Sequence, residues 1–129
     1  ICVPRGALGA MIRRVDAIGA ATGIRCATFG HAGDGNLHVQ FLLDGEQDDP
    51  AVRARVEQGL DLLFRATVEL GGTLSGEHGI GVTKAAYLPL EQSPAVIEWQ
   101  RRVKSLWDPD GLLNPGKLFP PRRAAGCSE

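Results

Sequence analysis

The chain has 129 residues, with 14 Lys and Arg against 15 Asp and Glu, a net charge of −1 and 43% hydrophobic residues. That length suits one domain with its own hydrophobic core. The balanced charge excludes the clustered basic footprint of a nucleic-acid binder, and no apolar run nears the roughly 20 residues that span a bilayer.

The three cysteines, Cys2, Cys26 and Cys127, show no CxxC spacing and are odd in number, which argues against a disulfide framework. A reducing, cytoplasmic setting is the simpler expectation. The N-terminus lacks the basic and apolar regions of a signal peptide, so a soluble protein is expected. Ile1-Cys2-Val3-Pro4 reads as a strand leading directly into a helix. Such a beginning suggests a piece of a longer protein, and an arbitrary boundary explains it equally well.

From Ala7 to Ala21 the apolar residues Leu8, Met11, Ile12, Val15 and Ile18 recur at helical spacing, and Gly23 is placed to end the helix. Ile24 to Phe29 reads as a buried strand running into Gly30-His31-Ala32-Gly33-Asp34-Gly35. In the strand that follows, Asn36, His38 and Gln40 alternate with Leu37, Val39 and Phe41, so the polar trio shares one face and the apolar trio faces the core.

Asp44-Gly45 and the acidic Glu46 to Asp49 form a surface turn. Asp49 serves as N-cap and Pro50 as first residue of a second helix, whose stripe is Val52, Val56, Leu60, Leu63 and Leu70. Gly71-Gly72 stops it. A short extended piece, Thr73-Leu74-Ser75, opens into Gly76-Glu77-His78-Gly79-Ile80-Gly81. Ser93-Pro94 repeats the start signal for a third long helix with the stripe Val96, Trp99, Val103 and Leu106, ended by Asp108-Pro109-Asp110-Gly111. Strand, helix, paired strands, helix and strand predict an α+β fold, a ferredoxin-like sandwich with helices on one face of a small antiparallel sheet and a C-terminal helical segment. The domain is expected over 1–119, with 120–129 a disordered tail.

All three histidines, His31, His38 and His78, lie in or beside the two glycine-rich segments and none sits on a helix stripe. Glycine permits turns that aim a neighbouring side chain and let a ligand approach closely. His31 precedes the first turn and His38 leaves it on the polar strand face, so the reversal brings two imidazoles together, with Glu77 able to complete the set. Two histidines and a carboxylate with an open position suit catalytic zinc, and equally manganese or iron. The plain alternative is a polar surface histidine and a glycine turn that is only structural. Phosphate fingerprints fail, since neither GxGxxG nor GxxxxGK[ST] occurs and the glycine turn precedes a strand. Lys84 can hold a substrate carboxylate, although an exposed helix lysine explains it as simply.

His31-Ala32-Gly33-Asp34-Gly35-Asn36-Leu37-His38, then Ser75-Gly76-Glu77-His78-Gly79-Ile80-Gly81, then Leu113-Asn114-Pro115-Gly116-Lys117 resemble the C-terminal domain of the FAD-linked oxidases. That family includes D-lactate dehydrogenases, the flavin subunit of glycolate oxidase and D-2-hydroxyglutarate dehydrogenase. The resemblance implies that His31, His38 and Glu77 are divalent-metal ligands, Zn or Mn, that His78 is the catalytic base, and that Asn36 and Asn114 lie near flavin or substrate. It implies the partners too: a 2-hydroxy acid, the FAD-binding domain of the same full-length protein, and an electron-acceptor subunit.

The expected function is therefore the catalytic part of an FAD-dependent 2-hydroxy-acid dehydrogenase, inactive on its own because the family's flavin domain is not in this chain. A stand-alone metal-binding or assembly module without redox activity, and a zinc hydrolase using the same triad, are the alternatives from other classes.

Overall fold

Helix α1 (Leu8–Thr22) follows a single 3-10 turn at Arg5–Ala7 and ends at Gly23. Its buried residues are Met11, Val15, Ile18 and Thr22, whereas Ile12 of the expected stripe is exposed. These features belong to a computed structural model that describes residues 1–45 and 48–119. Glu46, Gln47 and the expected disordered tail from Pro120 lie outside the described residues. The chain divides into two compact units, Ile1–Gly79 and Ile80–Glu129.

In the first unit, strand β1 (Arg25–His31) pairs antiparallel with β2 (Asn36–Leu42), setting Phe29 opposite His38 and His31 opposite Asn36. Leu37 is buried, and Cys26, Val39 and Phe41 pack against the core of Val3, Met11, Val15, Ile18, Leu63 and Ala66. The alternation of a strand then puts Phe29, His31, Asn36 and His38 on the face opposite α1 and α2. A slip of one residue would expose Leu37, whose burial is worth about 1.5–3 kcal/mol, and drive imidazole inward. Phe29 departs from the expected buried strand, being 53% exposed. The strand runs on to His31, and period two ties Phe29 to the histidine face.

Helix α2 (Pro50–Glu69) starts as expected, with the Asp49 carboxylate accepting from Ala51 N at 2.7 Å. Of the expected stripe, Val52 and Leu63 are buried and Val56, Leu60 and Leu70 half-buried, and Gly59, Phe64, Ala66 and Thr67 extend the buried side. Thr67 is fully buried at no polar cost because its hydroxyl donates to Leu63 O at 2.8 Å.

Two extended pieces widen the sheet through single bridges, Cys2 pairing antiparallel with Asn36 on one side and Thr73 on the other. Cys2 N and Thr73 N donate to each other's carbonyls at 3.0 and 2.8 Å, and Val3 N donates to Gly35 O at 2.9 Å. The spatial order is thus Thr73, Cys2, β2, β1, with α1 and α2 as the two crossovers. This is the split βαβ plan of a ferredoxin-like fold, with its first and last strands reduced to bridges. The α+β class is as the sequence predicts.

The second unit opens with a 3-10 turn at Ala85–Tyr87 and the short helix α3 (Leu88–Glu91), neither marked in the sequence pattern. Helix α4 (Pro94–Trp107) begins at Ser93, whose hydroxyl accepts from Val96 N at 3.4 Å. It ends at buried Asp108, whose carboxylate takes the Lys104 ammonium and the Leu112 and Leu113 amides, the last two at 2.9 Å each. The predicted stripe of α4 is present but faces outward, with Trp99 65% and Leu106 77% exposed. Period 3.6 identifies an apolar face and not what covers it.

Two glycines of one turn should respond oppositely to alanine. Gly35 has φ +74° and an added Cβ would stand 1.9 Å from Val3 O, whereas one at Gly33 would meet nothing within 4 Å. Gly35→Ala is expected to lower stability by more than about 1 kcal/mol, and Gly33→Ala to stay within about 0.5 kcal/mol. Urea unfolding midpoints at unchanged slope are the measurement.

Candidate metal centre

His31 is the last residue of β1, and the turn after it closes with Asp34 N donating to His31 O at 3.0 Å. β2 then departs with buried Asn36, and His38 two residues on rises from the same face. The second glycine segment lies directly against this face. A Cβ at Gly76 would stand 2.1 Å from Asn36 Oδ1, so only glycine lets the backbone approach so closely.

That approach delivers Glu77. Asn36 Nδ2 donates to Glu77 Oε1 at 3.0 Å, His38 Nε2 lies 2.8 Å from the same oxygen, and His78 Nε2 lies 3.7 Å from it. One ligand atom from each of His31, His38 and Glu77 falls within 4.8 Å of the others. The His38 ring is the hub, 5.0 Å from Phe29 in a stacked pair, 5.9 Å from His31 edge-on and 5.4 Å from His78.

The hydrogen bond from Asn36 holds the Glu77 carboxyl below the usual carboxylate range. Partial desolvation opposes this, and the nearby imidazoles His38, His78 and His31 add to the lowering. An anion ringed by imidazoles suits a divalent cation, because two neutral nitrogens and one carboxylate are a familiar set for a metal that keeps open positions.

Five of the seven residues singled out in the sequence converge here, His31, His38, Glu77 and His78 together with Asn36, the group that holds Glu77. Lys84 and Asn114 belong to the second unit. Lys84 is half-buried rather than on an exposed helix face, and burial pushes its ammonium pKa down. Asn114 is exposed, with φ at 47° in the left-handed region. Phe29 was missed at the sequence level. Its place two residues before His31 marked it for this face, but an aromatic residue in an apolar run reads as core.

The first unit is thus a ferredoxin-like α+β layer that gathers three histidines and a glutamate on the sheet face opposite α1 and α2. Residues 1–118 match the family model described as FAD linked oxidases, C-terminal domain, and the chain belongs to that family. It is 42% identical over 117 residues to glycolate oxidase subunit GlcD of Bacillus subtilis (strain 168), an alignment that covers 91% of this chain and 24% of that protein. It is 36% identical to D-2-hydroxyglutarate dehydrogenase of Stutzerimonas stutzeri (strain A1501), over 92% of this chain and 26% of that protein. With the mitochondrial D-lactate dehydrogenase [cytochrome] of Arabidopsis thaliana it shares 33% identity, over 94% of this chain and 21% of that protein. The chain thus spans about a quarter of the length of these relatives.

The sign of the Glu77 effect gives a test. A carboxyl with a folded pKa below its unfolded value of about 4.3 contributes stability that is complete above that pH and is lost as pH falls through the folded value. In the metal-free chain, NMR titration of the Glu77 carboxyl carbon should give a midpoint below about 4.3. Asn36→Ala should move that midpoint upward, and an unmoved midpoint would assign the shift to the imidazoles.

Proposed function

We propose that this domain is the C-terminal catalytic part of a flavin-dependent dehydrogenase that oxidises a 2-hydroxy acid, of the glycolate, lactate or 2-hydroxyglutarate type, to the 2-oxo acid. The observation that carries the reading is the convergence of three imidazoles on one carboxylate at the sheet face opposite α1 and α2. Family membership and the printed names of the relatives support the substrate class.

The reaction removes a proton from the substrate hydroxyl and a hydride from the carbon that bears it. When bound, FAD supplies the hydride acceptor and a divalent ion, Zn²⁺ or Mn²⁺, supplies Lewis acidity at the hydroxyl. His31, His38 and Glu77 are the residues that would hold the ion. One ligand atom from each lies within 4.8 Å of the others, which supports this set, and a bound ion would require each at roughly 2.0–2.2 Å from a common point.

His78 accepts the hydroxyl proton at Nε2. Its side chain is 72% exposed, and it stands beside the cluster with its nitrogen further from Glu77 than that of His38, which suits a base rather than a ligand. Imidazole exchanges protons near neutral pH, which a general base requires. Lys84 binds the substrate carboxylate, and Asn114 with Asn36 borders flavin or substrate. Asn36 has the further task of holding Glu77.

FAD is held mainly by a domain of the full-length protein outside this chain, and electrons pass on to an electron-acceptor subunit. A cytoplasmic setting is part of the same reading, consistent with the free thiols of Cys2 and Cys26. Among the described residues no helix is long and apolar enough to cross a membrane.

In the full-length protein, His31→Ala, His38→Ala and Glu77→Gln should each release the metal, read by elemental analysis. His78→Ala should keep metal and flavin while turnover falls about 10²–10⁴-fold. Full turnover in His78→Ala would send the search for the base elsewhere. The isolated chain should leave gel filtration without flavin absorbance and without dehydrogenase activity, and stoichiometric co-eluting flavin would contradict the division of labour.

A further inference from the structure

A metal-bound histidine normally donates its second ring N–H to a carboxylate, a carbonyl or water, and that bond fixes the plane of the ring. Among the described residues the polar contact of the His38 ring is Glu77 Oε1, 2.8 Å from Nε2 and itself a proposed ligand, and no protein group there hydrogen-bonds the other nitrogen. What lies against the ring instead is Phe29, its direct cross-strand partner, with centroids 5.0 Å apart and planes 16° from parallel.

We propose that Phe29 is a positioning residue for the metal centre, holding the plane of His38 by stacking where a hydrogen bond would otherwise do so. The inference rests on the metal reading of His31, His38 and Glu77 given above. Face-on contact has a distinct consequence. It restricts rotation of the imidazole while leaving both in-plane nitrogens free, so one can approach Glu77 and its ion without competition from a partner on the ring face.

The exposure of Phe29 fits this role better than a core role. At 53% exposed it adds little to the hydrophobic core, and α1 and α2 pack on the other face of the sheet. The β1–β2 register sets it against His38 and no other residue of β2, so a change of register would remove the stack and the convergence of ligands together.

The test titrates Zn²⁺ into the metal-free chain by calorimetry for wild type, Phe29→Ala, Phe29→Tyr and His38→Ala, with NMR of the His38 ring protons alongside. Phe29→Ala should weaken Zn²⁺ binding about ten-fold, the low end of what a supporting residue contributes to a metal ligand. Phe29→Tyr, which keeps the stack, should bind as wild type. Removing the ring should also shift the His38 ring protons downfield in the metal-free state, with the urea midpoint unchanged. Wild-type affinity in Phe29→Ala, or equal weakening in Phe29→Ala and Phe29→Tyr, would overturn the proposal even when His38→Ala abolishes binding. If wild type itself bound no Zn²⁺, the metal reading would fall, and unmoved His38 ring protons in Phe29→Ala would overturn the positioning role separately.

Discussion

The β1–β2 register is the constraint on which the rest of the first unit depends. Burial of Leu37, with Val39 and Phe41 packed beside it, decides which face of the hairpin meets α1 and α2. Phe29, His31, Asn36 and His38 then have no choice but the other face. The candidate centre is the polar side of a hydrophobic decision, and its geometry is as secure as the core that selects it.

A hairpin alone supplies only two imidazoles. Glu77 arrives from a segment some forty residues later, and Gly76 makes the arrival possible by lying where any side chain would collide with Asn36. Asn36 is therefore shared between two structural tasks. Its backbone bridges to Cys2, closing the sheet toward the first strand, while its amide holds the carboxylate. Fold and site meet at this one residue, which accounts for its burial within a polar face.

The second unit has a different character. α4 is well capped at both ends, by Ser93 and by Asp108, yet the apolar stripe it carries is turned outward with Trp99 and Leu106 open. Local signals are sufficient to form such a helix, and they act within one or two turns. Covering an apolar face is a separate, non-local event.

Much of this was legible in the sequence. Asp49-Pro50 and Ser93-Pro94 mark helix starts because a cap acts on amides two or three residues away, and Gly23 marks a helix end for an equally local reason. The alternation from Asn36 to Phe41 was enough to separate polar from apolar faces, and the glycine segments were enough to single out His31, His38, Glu77 and His78. Tertiary structure decided what depends on distant contacts: the bridge between Cys2 and Thr73, how far the buried side of α2 extends, the outward stripe of α4, the clasp of Asn36 on Glu77 and the stacking of Phe29 on His38. Periodicity states that a face is polar or apolar. It carries no information on which residue, remote in the chain, comes to rest against that face, because that is settled by packing the whole unit at once.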